Sequence, residues 1–271
     1  MKPIDYILAA NLLLLAVFIW FRDVVWISTS DDTLPILVAL PLFVWLASPW
    51  VFRKKSEPLE LKGGLIFVAL FLLGIIMNST LLLTVSWVTL LWTWVSKRIV
   101  SENLPNIKKL LILPLMAFPW IALDADRIGW WFRLSGAWVT AHFFSWFGFN
   151  VHHEGTLLVV DGLPISVEVA CAGLNTLQSM LIAGSVVAYL ILGNTNRYWI
   201  NLPLLVLMSW IANTVRIILI STAAVMISPK FAKGNFHVLG GWVVILLMFS
   251  LCWFIFSLQE MRPEKKGEPS A

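Results

Sequence analysis

Long apolar stretches alternate with short charged or turn-forming segments along the whole chain. A membrane-spanning helix needs about 20 mostly apolar residues, because the hydrocarbon core of a bilayer is about 30 Å thick. We split the apolar run at residues 63–95 at Met77-Asn78-Ser79-Thr80, since it is too long for one helix. The pattern then predicts eight spans: Tyr6 to Phe21, Thr33 to Phe52, Gly64 to Met77, Thr80 to Val95, Leu110 to Leu123, Leu174 to Leu192, Leu202 to Ile227 and His237 to Leu258.

The composition supports a membrane protein. Of the 271 residues, 59% are hydrophobic and 13% are charged, and the mean hydropathy is +0.86. Soluble domains contain about 45–50% apolar and about 25% charged residues. The values exclude disordered, collagen-like and nucleic-acid-binding classes. We therefore predict an all-α polytopic protein that forms one integral membrane domain over residues 1–271.

The basic residues predict the orientation, because Lys and Arg accumulate in cytoplasmic loops. With the N-terminus inside, thirteen of the 19 basic residues lie on the cytoplasmic side, and Arg216 lies within a span. Five lie outside: Arg22, Arg127, Arg133, Lys230 and Lys233. Both termini are then cytoplasmic, including the tail at residues 259–271. We expect a multi-pass protein of a cell membrane, and favour a bacterial inner membrane over an archaeal plasma membrane.

The extracytoplasmic segment at residues 124–172 is the longest stretch outside the predicted spans. Within it, Ile128 to Phe147 carries four tryptophans among polar residues, which predicts an amphipathic helix on the outer leaflet. The alternative is a ninth buried helix. The pair Asp161-Gly162 separates Thr156–Val160 from Ile165–Val169, and an Asp-Gly pair between β-branched runs predicts a β-hairpin. This hairpin leads directly into the sixth span.

Cys171 is the first candidate functional residue, because it lies at the outer start of that sixth span. Unpaired N–H groups at a helix start stabilise a thiolate and lower the pKa of a thiol. The N–H groups of Ala172 and Gly173 can also hold an oxyanion. A packed and inert cysteine is the alternative.

Arg216 is the only charged residue within the later spans. It lies ten residues from the outer end of span seven, about 15 Å along a helix. A guanidinium at membrane depth must face protein or water, and Asn213 lies on the same helical face. The alternative is a structural ion pair with a carboxylate of the bundle.

His237 opens span eight at the same outer level. The start of a helix disfavours imidazolium, which leaves a neutral ring able to exchange protons. The alternative is a helix-end histidine without a role. We expect a nucleophile, a proton carrier and a fixed cation from three spans to meet in one outward-facing pocket.

The other histidines and the second cysteine give weaker signals. His152 and His153 are adjacent and cannot both face one metal from a regular element, and His142 lies in the aromatic segment. Cys252 lies about 22 Å deeper than His237 along the same helix, so we assign it to packing. We expect no metal and no cofactor.

The sequence resembles the exosortase/archaeosortase family of membrane cysteine transpeptidases over about Arg133 to Ser250. The resemblance rests on Glu168-Val-Ala-Cys-Ala-Gly173, on Asn213-x-x-Arg216-Ile217 and on His237 followed by Gly240 and Gly241. Ala172 stands where the family commonly has Ser. The first 120 residues match only in hydropathy.

The resemblance implies that Cys171 is the nucleophile, Arg216 the stabilising cation and His237 the proton-transfer residue. Substrates would be secreted proteins with a C-terminal motif, a transmembrane helix and a basic tail, cleaved outside the membrane through a thioester. The hairpin offers an edge with which an extended substrate segment can pair.

Two other functions stay open from the residues. One is a transporter in which Arg216 binds an anionic solute, and the other is a non-catalytic assembly subunit. The sequence leaves open the substrate, the acceptor and the oligomeric state. We expect contact with lipid and none with nucleic acid.

Overall fold

The chain divides by its internal contacts into two compact units, at residues 1–131 and 132–271. The computed structural model describes residues 3–28, 30–53, 57–58, 60–167, 173–233 and 235–261. The boundary between the units lies inside a helix that runs from Asp126 to Trp146. Each unit is therefore described by itself.

The first unit is helical. Its longer helices are α1 (Pro3–Phe21), α2 (Ser30–Leu46), α3 (Leu61–Ile76) and α4 (Thr80–Arg98). They are followed by the short helices α5 (Leu104–Leu110), α6 (Ile112–Met116) and α7 (Trp120–Asp124), and then by the beginning of α8 (Asp126–Trp146). Turns of 3-10 helix occur at Val25–Ser28 and Ser101–Asn103.

Helices α3 and α4 form a helical hairpin that is split where the sequence predicts. Asn78 adopts a φ of 54° in the connection, a left-handed conformation that Asn tolerates better than most residues. The Ser79 hydroxyl then accepts a hydrogen bond from the Leu82 N–H at 3.3 Å and caps α4. Gly74 allows close packing, since a Cβ there would lie 2.9 Å from Leu83 Cδ2. The predicted division of this long apolar run is confirmed.

Ion pairs and caps fix the two ends of the first unit. At one end the Arg98 Nε donates to the Asp5 carboxylate at 2.6 Å, and both residues are buried. At the other end the Asp124 carboxylate accepts from the Ser79 hydroxyl at 2.8 Å and from the Leu81 N–H at 2.7 Å. The start of α1 therefore lies beside the end of α4.

The predicted fifth span, Leu110 to Leu123, is wrong as one continuous helix. The structure divides this stretch among α5, α6 and α7. Pro114 and Pro119 explain the breaks, because proline lacks the N–H that continues a helical ladder and its ring clashes with the preceding turn. The prediction rested on the hydropathy of this stretch, which does not include the effect of proline on helical hydrogen bonds.

The second unit combines a small sheet with long helices. After α8 come β1 (Val151–Glu154), β2 (Leu157–Val160) and β3 (Leu163–Ser166). The remaining helices are α9 (Leu174–Leu192), α10 (Arg197–Met226), α11 (Pro229–Lys233) and α12 (Asn235–Glu260). Helices α9, α10 and α12 all pack against one another.

Three helices of the described residues are long and apolar enough to cross a membrane: Leu174–Leu192, Arg197–Met226 and Leu239–Glu260. Shorter apolar helices occupy Asp5–Phe21, Ile36–Leu46 and Leu61–Ile76. The mostly helical membrane architecture is confirmed in this form. The number of eight spans stays a prediction.

The α10 and α12 helices are held at one end by an amide pair. Asn201 Nδ2 donates to Gln259 Oε1 at 2.8 Å, and Gln259 Nε2 donates back to Asn201 Oδ1 at 3.1 Å. The start of α10 therefore lies beside the end of α12, so the two helices run antiparallel. This places the later half of α10 beside the start of α12.

The aromatic segment forms one helix, α8, as predicted. In its second-unit part, one face is buried at the spacing i, i+3, i+4, i+7, by Ala137, Thr140, Ala141 and Phe144. Trp138 and Trp146 are exposed on the other side. The helix is therefore amphipathic, and its place on the outer leaflet stays a prediction.

The predicted hairpin is a three-stranded antiparallel sheet in the order β1-β2-β3. The Asp161-Gly162 turn is confirmed, with φ values of 48° and 81° that fit a two-residue type I′ turn. This turn leaves no spare residues, so β3 begins at Leu163 rather than at the predicted Ile165. The predicted end of that strand at Val169 lies outside the described residues.

The first strand of the sheet was missed by the sequence analysis. Its residues Val-His-His-Glu carry little β propensity, and they follow a Gly-containing stretch that is typical of a loop. The signal that could have revealed it is the two-residue connection Gly155-Thr156 between β1 and β2, where Gly155 has a φ of 58°.

One face of the sheet packs against the helices of the second unit. Leu158 and Val167 form a buried cluster with Ile217 of α10 and with two alanines of α8. On the same face Ile165 also packs against small residues of α10 and α11. The end of β3 is therefore anchored next to the residue that follows Arg216.

Candidate functional site

Arg216 and His237 are in contact across α10 and α12. Arg216 Nη2 lies 3.4 Å from His237 Nδ1 and 3.3 Å from His237 Nε2. Both side chains are partly buried. The antiparallel arrangement of the two helices produces this contact, since it brings the later half of α10 to the start of α12. Two of the three predicted catalytic residues thus meet.

The guanidinium lies over the face of the imidazole ring. An atom in the ring plane at equal distances from the two nitrogens would collide with the Cε1 atom between them. The nearly equal distances to Arg216 Nη2 therefore require an approach from above the ring. Ring nitrogens exchange protons in the ring plane, so this contact leaves the in-plane positions of His237 outside the reach of Arg216.

Gly241 makes room for the arginine side chain. A Cβ at this position would lie 3.3 Å from Arg216 Nε and 3.6 Å from Arg216 Cζ. Gly241 follows His237 by four residues, so the two lie on one face of α12. The guanidinium therefore lies along this helix, between the imidazole and a bare stretch of backbone. A Cβ at neighbouring Gly240 would meet only Phe236 Cε1, at 4.0 Å.

Asn213 lies against the start of α9. It is fully buried, at 0% exposure. A Cβ on Gly173 would lie 2.6 Å from Asn213 Cγ, and Gly173 has a left-handed φ of 73° as the N-cap of α9. Only glycine fits both conditions. Because Asn213 and Arg216 are one helical turn apart, the start of α9 lies close to the Arg216–His237 pair.

Cys171 and Ala172 lie outside the described residues, as do residues 168–170. The described chain reaches Val167 on one side and Gly173 on the other. Val167 belongs to the buried cluster that includes Ile217, and Gly173 touches Asn213. Both flanks of the segment that carries Cys171 are therefore anchored on α10, within four residues of Arg216.

Arg216 has no carboxylate partner within the described part of the chain. The four ion pairs found there all involve residues of the first unit. The Arg216 Nε–H is buried and makes no hydrogen bond to a described residue. The structural ion pair that was one interpretation of Arg216 is therefore not found among these residues, and the neighbour of the guanidinium is an imidazole.

The remaining histidines lie on α8 and β1, and Cys252 lies in α12. His142 Nδ1 lies 2.8 Å from the Trp138 carbonyl oxygen, to which it must donate because a carbonyl only accepts. His152 and His153 lie on β1 and point to opposite faces of the sheet. Cys252 is fully buried in α12. In the described ranges no three His, Cys, Asp or Glu side chains are placed to hold a metal ion.

The part played by Gly241 is not evident from the sequence. This glycine belongs to the residues that carry the resemblance, but the sequence does not say which side chain it accommodates. The spacing of four residues between His237 and Gly241 was the available signal, because it puts a small residue one helical turn beyond the imidazole.

Comparison with known proteins identifies the family. The family model described as transmembrane exosortase (Exosortase_EpsH) matches residues 9–254. The match begins far earlier than the resemblance to residues 133–250 suggested, so residues 9–120 belong to the family pattern as well. Comparisons with curated proteins and with solved structures give no significant match. The chain belongs to the transmembrane exosortase family.

Proposed function

We propose that the protein is a membrane cysteine transpeptidase or protease that cleaves the C-terminal sorting signal of secreted, membrane-tethered proteins. Family membership supports a membrane transpeptidase in general. The proposed catalytic residues are Cys171, Arg216 and His237. The proposed substrates end in a short motif, a transmembrane helix and a basic tail.

The observation that carries the proposal is the contact of Arg216 with His237 beside the start of α9. A guanidinium without a carboxylate partner can stabilise negative charge that develops during a reaction. Asn213, which lies one helical turn before Arg216 on α10, touches Gly173 at the start of α9. Cys171 precedes Gly173 by two residues, so covalent geometry limits the distance between their α-carbons to about 7.6 Å. The proposed nucleophile thus belongs to the same neighbourhood.

The reaction would begin with attack of the Cys171 sulfur on the scissile carbonyl, while His237 takes the thiol proton. A bond forms between sulfur and the carbonyl carbon, and the carbonyl oxygen becomes an oxyanion. Arg216 stabilises this oxyanion, together with the N–H groups of Ala172 and Gly173. The carbon–nitrogen bond then breaks, and His237 gives its proton to the leaving amine.

The thioester that remains is resolved by a second nucleophile. Attack by an acceptor amine on the carbonyl carbon gives transpeptidation, and attack by water gives hydrolysis. In both cases the sulfur leaves as the thiolate, and the proton of the attacking group passes to His237. The acceptor decides between the two activities.

The proposed location is a cell membrane, with both termini in the cytoplasm and the site on the extracytoplasmic side. The apolar helices and the family support a membrane protein. The excess of basic residues in the predicted inner loops supports the orientation.

The test uses tagged secreted proteins of the source organism that end in a short motif, a transmembrane helix and a basic tail. Proteins that lose the tail only when the wild-type chain is expressed serve as reporters. We expect Cys171→Ala to abolish tail removal. Cys252→Ala is the matched control, since it removes the other cysteine, which is buried in α12, and should leave processing intact. Normal processing by Cys171→Ala would falsify the proposal.

Labelling of intact cells with a membrane-impermeant alkylating reagent tests the location of the thiol. In a Cys252→Ala background, we expect Cys171 to react from outside, and more slowly once Arg216 is replaced by Met. A transporter would instead tolerate Cys171→Ser and show solute flux, and an assembly subunit would tolerate replacement of all three residues. Either result would contradict the proposed activity.

A further inference from the structure

The β3 strand is an edge strand that leads directly to the candidate nucleophile. Only β2 pairs with it among the described residues, so its other edge carries no strand. Cys171 follows Ser166 by five residues in the sequence. The following residue, Val167, belongs to the buried cluster that includes Ile217, the residue after Arg216. The open edge of β3 therefore ends beside the part of α10 that carries Arg216.

The register of the sheet determines which main-chain groups face that edge. The two-residue turn makes Val160 and Leu163 a hydrogen-bonded pair, and bonded pairs recur at every second residue of an antiparallel ladder. The Val167 N–H donates to the Thr156 carbonyl at 3.0 Å, in agreement with this alternation. The N–H and C=O of Ser166 consequently point away from β2, as does the C=O of Pro164.

Pro164 closes one half of the edge. The main-chain groups of Pro164 point away from β2, but proline has no N–H to donate. Prolines on edge strands prevent a further strand from pairing there. Ser166 has both groups, and its side chain is exposed on the outer face of the sheet. An added strand can therefore form a complete pair of hydrogen bonds only at Ser166, at the end of β3 nearest to Cys171.

We propose that the open edge of β3 at Ser166 binds the main chain of the protein substrate, in extended conformation and next to the scissile bond, as a fourth strand of the sheet. This inference rests on the proposed function. Main-chain pairing fits one extended peptide of any sequence, and side chains at alternate positions of that peptide provide selectivity. The continuity of the edge with the site favours a substrate segment over a second copy of the chain.

Proline at position 166 tests the proposal, because it removes the outward N–H without removing a hydrogen bond of the β2–β3 ladder. Pro164 demonstrates that this strand accepts proline at an outward position. We expect Ser166→Pro to process the tagged reporters at least tenfold more slowly than Ser166→Ala, which keeps the amide. The control is Val151→Pro, which removes an N–H from the opposite open edge of the sheet, at the first residue of β1. We expect Val151→Pro to process like the wild type.

A cross-linking experiment covers the case in which Ser166→Pro does not fold. Ser166→Cys is placed in a chain that lacks Cys171 and Cys252, so that the reporter stays uncleaved, and single cysteines are moved along the reporter around its cleavage site. A paired strand gives disulfides at alternate reporter positions, because side chains alternate between the faces of a sheet. Cross-links at every position, or at none, would overturn the inference.

The outcomes separate this inference from the proposed function. If Cys171→Ala abolishes processing and Ser166→Pro matches Ser166→Ala, the edge does not bind the substrate and the activity still stands. If Cys171→Ala processes normally, the activity fails and the substrate edge fails with it. If Ser166→Pro changes the mass of the oligomer in detergent and leaves processing intact, the edge binds a second copy of the chain.

Discussion

The two units of the protein each hold an arginine between packed helices, but they surround it differently. In the first unit Arg98 donates to the buried Asp5 carboxylate at 2.6 Å, and its Nη1 donates to the Glu57 carbonyl at 2.7 Å. In the second unit Arg216 lies over an imidazole, without a carboxylate partner in the described residues. The first charge is neutralised within the fold, whereas no carboxylate among the described residues neutralises the second.

This difference shows that the position of an arginine between helices does not by itself say whether its charge is paired. Burying an ion pair costs desolvation free energy, which the attraction between its two charges offsets. Such a pair can hold two helices together without taking part in a reaction. A buried cation without a counter-ion still carries the desolvation cost, which is offset only when negative charge appears nearby. The local partner, rather than depth, distinguishes Arg98 from Arg216.

The largest expected effect follows from removing the second arginine. We expect Arg216→Met to slow reporter processing by about 10²- to 10³-fold, the loss seen when one oxyanion donor is removed. Because Arg216 pairs with no carboxylate among the described residues, the variant should unfold at or above the wild-type temperature in detergent. A large fall in the unfolding temperature would mean that Arg216 holds the fold together, and the comparison with Arg98 would break.

The same replacement in the first unit should have the opposite effect. Arg98→Met leaves the Asp5 carboxylate buried without its ion pair, and breaking a buried pair costs about 3–5 kcal/mol of unfolding free energy. Denaturant unfolding in detergent measures this loss. The rate of processing per folded molecule should not change.

A double variant checks the cause of that loss. Adding Asp5→Asn to Arg98→Met removes the stranded charge, and the amide oxygen can still accept from Trp94 Nε1, which lies 3.3 Å from the carboxylate in the wild type. We expect it to recover a large part of the lost stability. No recovery would mean that packing, rather than charge, is responsible.

A smaller effect is expected from the glycine beside Arg216. Gly241→Ala places a Cβ against the guanidinium and should shift it from His237, with a loss of about tenfold to a hundredfold in processing. Gly240→Ala is the matched control, since it makes the same change one residue away with space for the methyl group. Equal rates for the two variants would contradict a positioning role for Gly241.

The smallest effect concerns the surface of the first unit. The Lys97 ammonium donates a hydrogen bond to Glu60 and holds the pKa of this carboxyl below its usual 4.5. A lowered folded-state pKa contributes stability that is present above the unfolded value and is lost as pH falls through the folded value. Glu60→Gln should therefore lower the unfolding temperature slightly at neutral pH. Well below pH 4.5 the two proteins should unfold alike, and a difference that persists there would contradict this assignment.

Local patterns predicted local structure well. The helix break at residues 77–79 and the Asp161-Gly162 turn lie where the sequence predicts, since both depend on backbone preferences of a few residues. The broken helices at residues 104–124 were not predicted, because the hydropathy of the stretch was weighed above its prolines. The β1 strand was missed because its formation depends on pairing with β2 rather than on its own propensity.

The sequence by itself determined that this is a membrane protein with apolar helices, and that a cysteine, an arginine and a histidine lie in or next to three late helices. The number of spans, the side of the membrane and the role of Cys171 stay predictions. Only the tertiary structure decided that Arg216 lies over the ring of His237, that Gly241 makes room for it and that Asn213 touches Gly173. The reason is physical: helix periodicity fixes which face a residue occupies, but the approach and register of two helices depend on side-chain packing between residues far apart in sequence.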